Sequence, residues 1–179
     1  MGKNVLILSA SPRKGGNSDI LCDEFKKGAE KSGNSIEKIF LRDKKISPCV
    51  ACYYCKDHEG KCAINDDMAY IIDRIMKSDV IVMASPVYFY SVNAQIKALI
   101  DRCVAKWLDI KNKEFYYIMT AAENSQRAMD CALECFRGFA KCLEGSVEKG
   151  VIFGTGVYTM GEIKSTAFMK EAYEMGLNV

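Results

Sequence analysis

Apolar runs separated by polar, turn-rich stretches recur along the whole chain. Residues 5–8, 80–83, 115–119 and 147–153 are rich in aliphatic, β-branched or aromatic types. They read as strands covered on both faces. Residues 36–41, IEKIFL, alternate more and predict an edge strand. Helical periodicity fills the intervals at 18–31, 66–77, 93–105, 125–143 and 162–175. In DDMAYIIDRIMKSD, for example, Met68, Ile71, Ile72, Ile75 and Met76 fall at i, i+3, i+4, i+7 and i+8, which makes one apolar face. Five strands alternating with five helices predict an α/β protein, with a parallel sheet, right-handed crossovers and helices on both faces. Only 42–65 breaks the rhythm, as a loop of unusual length, and such loops inside compact domains are usually functional. One domain spanning 1–179 is expected, with that segment inserted in it.

Ligands of open α/β sheets bind at the carboxyl ends of the strands. The loop after the first strand is SASPRKGGNS, with Ser9, Ser11, Arg13, two glycines, Asn17 and Ser18. A helix N-terminus offers unpaired N–H groups and the positive end of the helix dipole, so it attracts phosphate. Asn17 or Ser18 can cap that helix. Neither the Walker spacing nor G-x-G-x-x-G is present. Leu41-Arg42 occupies the place where a dinucleotide site wants an acidic residue. A mononucleotide phosphate suits the loop better, and an ordinary capped turn suits it as well. The loop after the third strand, Pro86-Val87-Tyr88-Phe89-Tyr90, makes a wall for a flat heteroaromatic ring, or an apolar loop packed on the core.

Together SPVYFYSVNAQIKALIDR (85–102) and Ser9-Ala-Ser-Pro-Arg13 with Asn17-Ser18 resemble the NAD(P)H-dependent FMN reductase and iron–sulfur flavoprotein family, which is flavodoxin-like. The resemblance covers nearly the whole chain. It implies a flavodoxin-like three-layer sandwich with a five-stranded parallel sheet in the order 2-1-3-4-5. It carries the FMN phosphate onto Ser9, Ser11, Arg13, Asn17 and Ser18, and the isoalloxazine ring onto Pro86, Val87, Tyr88 and Phe89. A third flavin loop falls on Thr120, Ala121 and Ala122, although the glycines often seen there are missing. Lys97, Asp101 and Arg102 also match, and a role as solvated helix charges serves them equally.

The long loop contains Cys49, Cys52, Cys55 and Cys62 in a C-x2-C-x2-C-x6-C spacing. A compact triplet plus a fourth thiol suits a [4Fe–4S] cluster, and the spacing looks like the cluster motif of the iron–sulfur flavoproteins. A metal-free thiol loop and a zinc site stay open beside it. Tyr53 and Tyr54 could shield a cluster or pack on another subunit. For Cys22, Cys103, Cys131, Cys135 and Cys142 the expectation is small, buried hydrophobes.

Composition narrows the function classes. Hydrophobic residues at 49% and charged residues at 27% fit a globular domain. A net charge of +2 gives no basis for a nucleic-acid or membrane surface. No apolar run reaches the length of a membrane span, and the start of the chain does not read as a signal peptide, so a cytoplasmic location is expected. His58, the single histidine, leaves no room for a Ser-His-Asp triad or a multi-histidine metal site. The resemblance implies an FMN-dependent NAD(P)H oxidoreductase with no catalytic side chain of its own, passing electrons to a small acceptor or redox protein. It also implies a homodimer or homotetramer. The rival classes are a non-enzymatic electron carrier and a thiol-based redox sensor.

Overall fold

The computed structural model describes residues 2–179. Its sheet is parallel in the order β2-β1-β3-β5-β6, from β1 (Asn4–Ser9), β2 (Ser35–Phe40), β3 (Val80–Tyr88), β5 (Glu114–Thr120) and β6 (Val147–Gly154). This is the expected flavodoxin-like order. A sixth strand, β4 (Ser91–Val92), pairs antiparallel with the end of β3. Two residues carry no periodic signal, so β4 was not legible. It forms because Phe89 and Tyr90, at φ 49° and 63°, turn the chain tightly enough for Tyr88 to meet Ser91.

Alternation along the central strands sorts the core into two layers. Leu6, Leu8, Ile81 and Met83 pack against α3 (Met68–Lys77), α4 (Ala94–Arg102) and α5 (Asp130–Lys141). Val5, Ile7, Val80 and Val82 face α1 (Asn17–Lys31) and α6 (Phe168–Leu177). Ile71 and Ile75 of α3 are fully buried, which stabilises by about 1.5–3 kcal/mol per side chain. Gly28 and Gly176 let α1 and α6 touch: a Cβ on either would sit 2.1 or 2.0 Å from a carbonyl oxygen of the other helix.

The expected helix ends shift where side chains compete with the backbone. Asp66 stays outside α3 because its carboxylate accepts the N–H groups of Ser47 and Met68. The helices expected from 125 and 162 start as 3₁₀ turns before α5 and α6. Apart from the end of a 3₁₀ turn at Leu41–Asp43, the long segment 42–65 holds a single-turn helix, α2 (Tyr54–Asp57).

Candidate functional site

The loops after β1, β3, β5 and β6 surround a cleft of about 620 Å³ at the carboxyl edge of the sheet. That is within the usual range for a small-molecule site. Ser11, Arg13, Asn17 and Ser18 line one end, and Pro86, Val87 and Tyr88 line another wall. Thr120, Ala121 and Ala122 complete it with a fourth loop, Val157 to Met160. The fourth loop was missed in the sequence. Its signal was available, since GTGVYT directly follows the last strand at the same sheet edge.

At the cradle end the structure corrects the capping expectation. Gly16, extended at φ −68° and ψ 161°, is the N-cap of α1, and no side chain caps the helix. The first intrahelical bond runs from the Ile20 N–H to the Gly16 carbonyl, so the N–H groups of Asn17, Ser18 and Asp19 precede the ladder. Asn17 cannot cap because its amide is used elsewhere. It donates to the Thr159 carbonyl at 3.0 Å and accepts from the N–H of Gly161 at 3.0 Å and of Ile163 at 3.4 Å. This ties the fourth loop to the start of α1. Ser18 is 1% exposed, and its Oγ is buried with no hydrogen-bond partner. A buried hydroxyl without a partner beside an uncapped helix N-terminus suits an anionic ligand group.

Two expected contacts lie elsewhere. Ser9 is fully buried and donates its hydroxyl to Asp19 Oδ1 at 2.7 Å, so it supports the cradle from below and does not line the cleft. Phe89 stands fully exposed at the tip of the β3–β4 turn, away from the lining residues, because the left-handed turn points it outward. The second loop is anchored by Asn93. Its N–H donates to Ser85 Oγ, its side chain donates to the Ala10 carbonyl at 2.5 Å, and its Oδ1 caps α4 through the Ile96 N–H. The third loop is laced to the fourth by the Val157 N–H donating to the Ala121 carbonyl.

The four clustered cysteines line a separate cavity of about 370 Å³. Cys49 and Cys52 are exposed, and Cys55 and Cys62 are half-buried. Among the described residues, no three Cys, His, Asp or Glu side chains converge closely enough to hold a metal ion. The thiols thus share a cavity without forming a closed ligand cage. Arg102, expected as a solvated charge as readily as a site residue, is 2% exposed and lines the same cavity. It grips Asp66 through both terminal nitrogens, at 2.8 and 3.0 Å, and donates to the Ser47 carbonyl. Burial alone would raise the Asp66 carboxyl, but hydrogen bonds from Arg102, Ser47 and Met68 outweigh it and hold the group below the ordinary aspartate range. Lys97 and Asp101 form a solvated pair. Of the remaining cysteines, Cys22 and Cys103 are buried, and burial pushes their thiols up to about 12. Cys131 and Cys142 are exposed, contrary to expectation, because they sit on the outer side of α5 and just past its end.

No helix among the described residues is long and apolar enough to cross a membrane. Residues 3–138 match the family model of the NADPH-dependent FMN reductases. An iron–sulfur flavoprotein of Methanocaldococcus jannaschii is 43% identical over 98 residues, 55% of this chain and 50% of that protein. One of Methanosarcina thermophila is 37% identical over 109 residues, 59% of this chain and 56% of that protein. The matched part of the chain spans about half the length of these curated relatives. Among solved structures, an NAD(P)H:quinone oxidoreductase from Methanothermobacter marburgensis superposes with a TM-score of 0.75 at 16% identity, over 99% of this chain and 97% of that one. An FMN-dependent NADH-azoreductase from Bacillus anthracis, in complex with FMN, gives 0.74 at 14%, over 98% of both chains. At these identities the structural likeness shows the fold. The family match over 3–138, on a cleft built from the loops of a flavodoxin-like sheet, establishes that the chain belongs to the NADPH-dependent FMN reductase family.

Proposed function

We propose that the chain is an FMN-dependent NAD(P)H oxidoreductase whose cofactor lies in the carboxyl-edge cleft. The observation that carries this is the buried, unpartnered Ser18 Oγ at the uncapped start of α1. FMN bound there would supply the hydride and electron chemistry. The chain's own part is placement. Arg13 and Ser18 with the N–H groups of the first turn would hold the 5′-phosphate, while Ser11, whose hydroxyl donates to the Arg13 carbonyl, would shape the turn that carries Arg13. Pro86, Val87 and Tyr88 would wall the ring. The titratable side chains that line the cleft are Arg13, Tyr88 and Tyr158, and the reading assigns none of them as a general acid or base. Electrons would pass to a small molecule or redox protein. Homodimers or homotetramers and a cytoplasmic location belong to the same reading.

The test is reconstitution of the purified chain with excess FMN, removal of free flavin, and a visible spectrum followed by steady-state NAD(P)H oxidation. Bound flavin with turnover is expected. A colourless protein overturns the reading. A flavin-loaded protein that oxidises almost no NAD(P)H points to an electron carrier.

The cysteine loop supports a second element of the proposal, a [4Fe–4S] cluster held by Cys49, Cys52, Cys55 and Cys62. Its support is the compact spacing, the cavity these thiols share and the flavoprotein relatives named for iron and sulfur. Because the thiols stand apart, the loop would have to close around the cluster. Anaerobic purification with iron and sulfide analysis tests it. Near four of each per chain is expected, and a metal-free or zinc-loaded protein overturns it.

A further inference from the structure

The start of α1 holds a carboxylate that the cofactor reading leaves without a role. Asp19 lies in the first helical turn, next to Ser18, and is 5% exposed. Its Oδ1 accepts the Ser9 hydroxyl at 2.7 Å and lies 2.6 Å from Lys38 Nζ. Its Oδ2 accepts the Gly15 N–H at 3.0 Å. Lys38 reaches across from β2, the edge strand, and also meets Asp23 at 2.6 Å. Burial alone would raise the Asp19 carboxyl, but the bonds from Lys38, Gly15 and Ser9 outweigh it, so the group is charged at neutral pH.

A carboxylate in a first turn is favourable while the helix end is empty. Beside a phosphate dianion it is a liability. Two like charges on neighbouring groups repel, and in a partly buried setting water and salt screen that repulsion less than in bulk solution. Two features offset this. Lys38, shared with the more exposed Asp23, offsets the charge from the side of the sheet. The Oδ2 bond fixes Gly15, at φ +70°, and with it the turn 12–16 in front of the helix end. That turn carries Arg13, which lines the cleft.

We propose that Asp19 is the positioning residue of the phosphate cradle: it pins the turn 12–16 to the start of α1, and Lys38 is the counter-charge that keeps it from opposing a bound phosphate. The proposal rests on the FMN reading and adds to it two residues that touch no ligand. It predicts an effect confined to the phosphate. Affinity for FMN depends on the Asp19–Lys38 pair, and affinity for riboflavin, which lacks the phosphate, does not.

The experiment measures FMN and riboflavin dissociation constants by flavin fluorescence quenching on the full chain. The variants are Asp19→Ala, Lys38→Met and the double variant Asp19→Asn/Lys38→Met. Lys38→Met, which leaves the carboxylate unneutralised, is expected to weaken FMN about tenfold or more with riboflavin little changed. Asp19→Ala frees the turn and removes the carboxylate charge together; the loss of the pinned turn is expected to outweigh the charge, so the FMN-to-riboflavin preference falls, by less than in Lys38→Met. The double variant removes both charges but keeps an acceptor for the Gly15 N–H, so it should return most of the lost preference. It also serves where a single variant fails to fold. A preference unchanged in both single variants, or equal losses for the two flavins, reduces Asp19 to a structural residue and overturns the proposal. A double variant no better than Lys38→Met overturns it too. Equal wild-type affinity for FMN and riboflavin overturns the phosphate cradle itself, and this inference with it.

Discussion

The two loops richest in candidate chemistry are organised in opposite ways. In the first, between β1 and α1, most polar side chains are already committed. Ser9 and Gly15 bond to Asp19, Ser11 bonds to the backbone at Arg13, and Asn17 holds the fourth loop. What remains is one buried hydroxyl, the Arg13 side chain and a set of free N–H groups, so a ligand there would meet groups already in place. Apart from Gly60 lying against Ala105 and Lys106, the cysteine loop is secured chiefly near its ends, by Arg102 gripping Asp66 and the Ser47 carbonyl. Between them Ala51, Tyr53 and Glu59 all sit at positive φ, a conformation that strains side chains by roughly 1 kcal/mol or more each. All four thiols are free. A preformed site would bind with little reorganisation, whereas a strained loop with separated thiols would have to rearrange around any ligand it took.

The largest test of this contrast is Arg102→Met. It strands the buried Asp66 carboxylate and should destabilise the fold by about 3–5 kcal/mol in denaturant unfolding. Adding Asp66→Asn, which removes the stranded charge and keeps an acceptor for the Ser47 or Met68 N–H, should recover part of that loss, and if it recovers none, the unpaired charge is not what the single variant suffers from. Acid should act on both regions at once. Asp19 and Asp66 each have folded pKa values below the ordinary 3.8. Their contribution to stability is therefore present above that value and lost as pH falls through the lowered ones. Below about pH 4 the unfolding free energy should drop, and Asp66→Asn should flatten that limb even though it weakens the fold at neutral pH. A wild-type profile that stays flat down to pH 2 would remove both carboxylates as anchors.

Smaller effects separate the loops more finely. Ser18→Ala deletes a buried hydroxyl without a partner, so the ligand-free protein should gain about 1 kcal/mol. FMN affinity should fall by about tenfold in the same variant. Calorimetric melting with and without FMN reads both, and a loss of stability in the ligand-free state would show that Ser18 is structural. Ala51→Gly relieves a strained φ and should stabilise by a few tenths of a kcal/mol up to about 1. A destabilisation would mean that the loop is less strained than its backbone angles indicate.

Much of this was legible in one dimension. Four continuous apolar runs, one alternating edge segment and period-3.6 patterns placed the five main strands and most of each helix, because burial on both faces of a sheet, on one face of it or along a helix stripe imposes its own pattern on the residues. The anion-friendly loop after β1 and the Pro86–Tyr88 wall could be read from residue type and from the rule that sites gather at strand ends. The roles of single side chains could not. Asn17 looks like a cap, yet its amide is claimed by Thr159, Gly161 and Ile163, more than 140 residues away. Arg102 looks like a solvated helix charge beside Lys97 and Asp101, yet it is the buried partner of Asp66. Ser9 looks like a ligand contact, yet it serves Asp19.

By itself, then, the sequence determined the alternation of strands and helices, the edge at which a ligand would sit and the chemistry gathered in each loop. These follow from local periodicity and composition. Only the tertiary structure decided which polar groups were spent on one another and which were left free. It left Ser18 without a partner, set Asp19 against Lys38, and gathered four thiols on one cavity without closing them. Hydrogen-bond partners are chosen by proximity in space, and a polar side chain is available to a ligand only when its neighbours across the fold have not already claimed it.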